Sequence, residues 1–279
     1  MTRISGDLST ALENLSRYEN LGRIIDLQKF TEQIVKKYPN GPEIVVDNLK
    51  REYSDLYTAL LLQGLSDAFR QADNPQATPE GVLNTFDMHI GQLPVEFSKS
   101  IGIKLCNLRK ATLWDTLAEI AVLGQLTRHL TKYKIVAEYP LGIRVPGMDP
   151  PDADVAVLDN TGKPVWLNGA FTPKPSDFDS LSLTPEEIIG RIAEKYDKKF
   201  SGYCTSNPDA KVAIVLSLVK AEASLVNFLP HLLFSNTPVT LASSQLDSRV
   251  GLVYALACTF RSSNGRTLDI CPIAHYLRE

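Results

Sequence analysis

Glu119 is a carboxylate in an apolar neighbourhood, flanked by Ala118, Ile120 and Ala121 on a helical pattern of buried positions. A charge beside such a face is costly without a compensating group. Glu119 therefore invites a metal ion, a base or a hydrogen-bond donor, or else it turns outward as an ordinary solvated glutamate. Asp152 and Asp154 stand at the entrance of a short apolar run, Val155 to Leu158. Arg191, Lys195, Lys198 and Lys199 accumulate toward the end of one helix-like segment. They could contact phosphate groups there, or simply complement the negative end of the helix dipole. His89, His129, His231 and His275 are far apart and show no metal-ligand spacing, so each reads as a structural histidine. Cys106, Cys204, Cys258 and Cys271 are scattered, with no Cys-x-x-Cys pair, which favours a reduced, cytoplasmic setting over a zinc site.

These residues need elements to position them. Val155 to Leu158 and Val165 to Leu167 are joined by Asp159-Asn160-Thr161-Gly162, and the pattern reads as a β-hairpin with the two aspartates at its mouth. Before it, Thr112 to Lys132 has a helical stripe of Leu113, Leu117, Ile120, Gly124 and Leu130, and Lys134 to Tyr139 is a strand. Asp115 answers Thr112 in the manner of a capping box. Trp114 and Trp166 read as core anchors. After the hairpin, Thr172 to Ser182 is a loop rich in Pro, Ser and Asp, long enough to serve a site. Thr184-Pro185-Glu186-Glu187 then starts a helix to Phe200, buried through Ile188, Ile192 and Tyr196. Val212 to Val219 is apolar on both faces, as a central strand should be. Glu222 to Leu233 reads as helical and Val239 to Leu241 as a short strand. Ser262 to Gly265 reads as a turn between Leu252 to Phe260 and Thr267 to Ile270, although the first of these runs fits a helix equally well.

The order helix, strand, strand, strand, helix, strand, with an acid in the first helix and an aspartate opening the second strand, resembles the PD-(D/E)xK, or restriction-endonuclease-like, nuclease superfamily. The resemblance covers about Thr112 to Val219. It implies that a helix acid, the strand aspartate and a Glu-x-Lys trio on the third strand converge on one or two divalent ions that activate water at a phosphodiester. On that alignment Glu119 and Asp154 are the Mg²⁺ or Mn²⁺ ligands. The trio falls on Asn168-Gly169-Ala170, so a neutral side chain replaces the acid and alanine replaces the lysine. Lys195, Lys199 or Lys174 could supply the missing ammonium from another element. The resemblance thus implies a hydrolase-type site of Glu119, Asp154, Asn168 and Lys195, weakened or lost, with Arg191, Lys195, Lys198 and Lys199 toward nucleic acid, DNA favoured over RNA. Asp152-Ala153-Asp154 also has the acid-x-acid form of metal-dependent glycosyltransferases. There, however, the pair ends a strand after a nucleotide-binding unit, and no Gly-rich phosphate loop lies upstream here.

The rest of the chain supports this frame without naming a chemistry. Residues up to about Gly102 show helical stripes, such as Leu56, Leu60, Leu61, Leu65 and Phe69, and no convincing strand alternation. No polar cluster interrupts these faces, so the region reads as structural or as a surface for a protein partner or homodimer. The expected fold is α/β: a helical region over 1–110, then a mixed central sheet flanked by helices over 111–279. At 279 residues, 44% hydrophobic and 22% charged, the chain can bury a real core. Its 29 basic and 32 acidic residues give a net charge of −3, so any nucleic-acid surface must be local. Acidic residues early in the chain argue against a secretory signal, and no apolar run reaches membrane-spanning length. The competing reading is a non-catalytic interaction scaffold that keeps the nuclease-like fold.

Overall fold

A computed structural model describes residues 2–5, 7–41, 43–46, 55–63, 78–108, 113–142, 151–171, 185–217, 246–260 and 268–277. The expected loop with Lys174, the Glu222 to Leu233 helix, the Val239 to Leu241 strand and the Ser262 to Gly265 turn lie outside these residues, as do Thr112 and Thr184. The protein is α/β, with an N-terminal helical region followed by a mixed sheet and flanking helices. It divides into two compact units. One is Met1–Gly124 with Cys258–Ile270, the other Gln125–Ala257 with Cys271–Glu279.

The first unit is built from short helices with explicit caps. Helices α1 (Leu8–Leu15) and α3 (Leu27–Lys37) begin at Asp7 and Asp26, whose carboxylates accept from the backbone N–H of Ser9 and Lys29. Helix α2 (Glu19–Ile24) has no cap of its own. Asp87, on α5 (Pro79–Gln92), accepts instead from the N–H of Asn20 and Leu21, at 2.8 and 2.9 Å. Helix α4 (Leu56–Leu62) is buried at every residue. On α6 (Val95–Cys106), a Cβ at Gly102 would stand 2.2 Å from the Ile24 carbonyl oxygen, so only glycine allows α6 this close to α2. Helix α7 (Leu113–His129) carries Trp114, Leu117 and Ile120 into the core. The expectation of helices alone is corrected here: β1 (Thr2–Ser5) and β2 (Glu43–Val46) pair antiparallel.

The second unit holds the sheet apart from the end of its Val250–Phe260 strand and the start of its Leu268–Leu277 strand. Strands β3 (Lys134–Pro140), β4 (Asp152–Leu158) and β5 (Pro164–Phe171) run antiparallel in succession. Helices α8 (Pro185–Lys199) and α9 (Ser201–Ser206) then carry the chain back, so that β6 (Lys211–Ser217) lies parallel to β5. Strand β7 (Val250–Phe260) is parallel to β6, and β8 (Leu268–Leu277) follows it in the sheet order. The β4–β5 turn is held by Asp159, whose Oδ1 accepts from the N–H of Thr161 and Lys163 at 2.8 and 3.0 Å, while Gly162 takes φ 82°. The core forms where Ile189, Ile192, Tyr196 and Phe200 cover Leu167, Val212, Ile214 and Leu216. The helix is therefore buried through Ile189, Ile192 and Tyr196, while the side chain of Ile188 lies outside the described residues. The Leu252 to Phe260 run is strand.

Candidate functional site

The β4–β5 ladder runs from Leu158 opposite Pro164 to Val155 opposite Asn168, and Asp154 is the next residue. Its side chain takes over where the backbone pairing stops. Oδ2 accepts from the Ala170 N–H at 2.6 Å and Oδ1 from the Lys199 ammonium at 2.5 Å. The pair is well sheltered, with side-chain exposures of 15% for Lys199 and 11% for Asp154. On the other side, the β3–β4 register brackets Glu138 opposite Asp154, and Glu138 has φ 52°. A left-handed glutamate costs on the order of 1 kcal/mol, so the surroundings must impose it.

Gly169 explains how α8 delivers its lysines. A Cβ there would lie 2.7 Å from Phe200 Cε2 and 2.8 Å from Cζ, with Lys195 Cε at 3.8 Å. The bare backbone lets the end of α8 settle onto β5, which brings Lys195 beside Gly169 and Lys199 onto Asp154. Arg191 lies one turn earlier, so Arg191, Lys195 and Lys199 recur every four residues along one stripe. Lys198 lies off that stripe and pairs with Glu194 on the exposed surface, a contact of little energetic weight.

Asn168 and Ala170 lie differently. Leu167 and Gly169 pair with Val212 and Ile214 on the face that α8 covers, so alternation sends Asn168 and Ala170 to the opposite face. Asn168 is 3% exposed, and its Nδ2 donates to the Val155 carbonyl at 3.3 Å. Within the second unit, the structure therefore brings Asp154, Lys195 and Lys199 together, while Asn168 packs on the other side of its strand.

Glu119 belongs to the first unit, where it accepts from Lys104 of α6; their exposures are 16% and 22%. A hydrogen-bond donor is thus one answer to the demand that the sequence posed. Sequence reasoning missed a second polar cluster nearby. Asp55, 2% exposed, accepts from Lys37 at 2.5 Å and from the Tyr38 hydroxyl at 2.7 Å, and caps α4 through the Thr58 N–H at 2.9 Å. Lys37 also donates to the Leu108 carbonyl at 2.7 Å. Burial, reinforced by Asp55, pushes the Tyr38 phenol well above its usual range. A small open cleft, about 10 Å³, adjoins the cluster, lined by Asp55, Lys104, Asn107 and Thr116 among leucines. The one available signal was Asp55 itself, a capping residue just before the apolar α4.

At the start of β7, Arg249 grips Asp247 through two hydrogen bonds of 2.8 Å. These bonds hold the Asp247 carboxyl at about 2, below the ordinary aspartate value of 3.8. Beneath them the buried Cys204 thiol is pushed up by burial.

No family model, curated protein or solved structure matches the chain. The metal that the nuclease resemblance implies can be tested against the donors present. Among the described residues, no group of three His, Cys, Asp or Glu side chains could hold an ion. Both Asp154 oxygens already face donors, one of them an ammonium. As they stand, these residues do not fit a divalent ion. Among the described residues, no helix is long and apolar enough to cross a membrane.

Proposed function

We propose that the chain binds nucleic acid through a nuclease-like α/β core in which metal-dependent phosphodiester hydrolysis is weakened or lost. The observation that carries this reading is the convergence of Lys195 and Lys199 on the mouth of the β4–β5 hairpin beside Asp154, with Arg191 on the same stripe of α8. Such a stripe suits successive backbone phosphates, which provide affinity without sequence information. Asn168 packs against Val155 on the opposite face of β5, and Ala170 carries no ionisable group, so neither side chain completes an active site with Asp154. DNA is preferred to RNA as the partner.

The test is fluorescence anisotropy with labelled duplex DNA and single-stranded RNA over a salt series. Binding is expected with a Kd on the order of 10⁻⁴ to 10⁻⁶ M, weakening steeply with salt. Combining Arg191→Gln and Lys195→Gln should flatten the salt slope. Incubation with Mg²⁺ or Mn²⁺ should release little or no cleaved product. Failure to bind either nucleic acid at low salt would sink the reading. It would favour a protein-interaction scaffold, for which the first unit offers exposed Leu27, Val35, Val95 and Ile103, each more than half exposed.

A further inference from the structure

Three elements meet at the Asp154 carboxylate, which belongs to β4 and accepts from the Ala170 N–H of β5 at 2.6 Å and from Lys199, in the last turn of α8, at 2.5 Å. Both of its oxygens are occupied. Lys199 is only 15% exposed, and its ammonium lies 5.7 Å from the centre of the Phe200 ring, which sits where Gly169 has no side chain. This lysine is committed to holding the helix end. Lys198 likewise faces a carboxylate, that of Glu194. The phosphate contacts of α8 are accordingly assigned to Arg191 and Lys195, both half-buried and one turn apart on the stripe that ends at Lys199. At 1.5 Å of rise per residue they stand about 12 and 6 Å from Lys199 along the helix axis. Where the last turn of α8 is seated therefore decides where both cations stand.

We infer that Asp154 is a positioning residue for phosphate binding: by fixing Lys199 it seats the end of α8 on the β4–β5 hairpin and so sets where Lys195 and Arg191 meet successive phosphates. The inference rests on the nucleic-acid reading above, and it predicts an effect opposite in sign to simple electrostatics. A carboxylate beside a basic stripe repels a polyanion, so if charge alone mattered its removal should tighten binding. Removal of an anchor weakens it. An ammonium left without its carboxylate at 15% exposure turns toward water and carries the last turn of α8 with it.

The experiment is fluorescence anisotropy of the full chain with labelled duplex DNA over a salt series, with amide hydrogen exchange and thermal melts of the same variants. Asp154→Ala keeps every basic residue, yet it should bind the duplex at least about threefold more weakly, with a salt slope smaller by about one. The double variant Asp154→Ala with Lys199→Met leaves the net charge unchanged and strands no buried charge, so it folds even where the single variant does not. It should show the same loss. In both variants exchange should quicken at the Ala170 amide and in the last turn of α8, but not at Ala213 to Val215 of β6. Lys199→Arg, still able to donate to Asp154, should keep the slow exchange. Equal or tighter binding with an unchanged slope, in either variant that melts cooperatively, would overturn the inference. So would unchanged exchange at Ala170 and the end of α8. Failure of the unsubstituted chain to bind the duplex would instead overturn the nucleic-acid reading, and quickened exchange would then support the anchor alone.

Discussion

At Gly169, the atoms a methyl group would meet belong to the Phe200 ring, which cannot bend aside as the tip of a flexible chain would. Gly169→Ala is expected to cost about 1–3 kcal/mol by overpacking, read as a lower urea midpoint with an unchanged slope. The same substitution should lift the end of α8 and loosen Lys199 from Asp154. Asp247 supplies a prediction with a pH sign. Its folded pKa, about 2, lies below the ordinary 3.8, so the stabilisation is fully present above pH about 4 and disappears as pH falls toward about 2. Its side chain is 27% exposed, and after screening the effect should be on the order of 1–2 kcal/mol. Urea unfolding at pH 5 and pH 3 should therefore differ less in Asp247→Asn than in the unsubstituted chain. Neither site was legible in the sequence. Gly169 is 31 positions from Phe200, and nothing local told that a ring would descend on it.

The elements were read most surely where turn chemistry and periodicity agreed. The Asp159 to Gly162 turn, flanked by two apolar runs, predicted the β4–β5 hairpin, and the Val212 run predicted β6. Strands β1 and β2 escaped because four residues, Thr-Arg-Ile-Ser and Glu-Ile-Val-Val, are too few to display alternation. The Leu252 to Phe260 run was ambiguous because a stretch so nearly all apolar shows no clear period. Ion pairs between elements were hidden for a different reason: alternation and helical spacing give the face of a residue, and register across long connections decides its partner. The Asp55 cluster shows what such a partnership does. It joins α3, the start of α4 and the segment after α6, so Asp55→Ala strands the Lys37 charge and also removes a helix cap. A loss of about 3 kcal/mol is expected by urea denaturation. Asp55→Asn, which can still cap, should lose less.

Across the molecule, the chain passes between the two units at three points, after Gly124, after Ala257 and again after Ile270. Neither unit is a continuous segment, and a cut at any one boundary leaves at least one unit without part of its chain. Unfolding is therefore expected to be a single cooperative event. Trp114 in the first unit and Trp166 in the second provide the means to check it. Trp166→Phe and Trp114→Phe each leave one reporter, and their urea transitions should coincide at matched stability; separated midpoints would mean that the units melt independently. The α/β class and the succession of β3, β4, β5, α8 and β6 were legible beforehand, because each depends on local pattern. This interleaving was not, since it arises from which distant segments settle together.

The left-handed Glu138 bears on how the protein meets copies of itself. Strand β3 closes one end of the sheet order among the described residues, and a straight apolar ribbon in that position invites a neighbour to add another strand. Here the ribbon is kinked at a carboxylate, begins at Lys134 and ends at Pro140. A stranger's backbone arriving along it would find its register broken midway and a missing amide at the far end, which guards this border against fibril-like stacking.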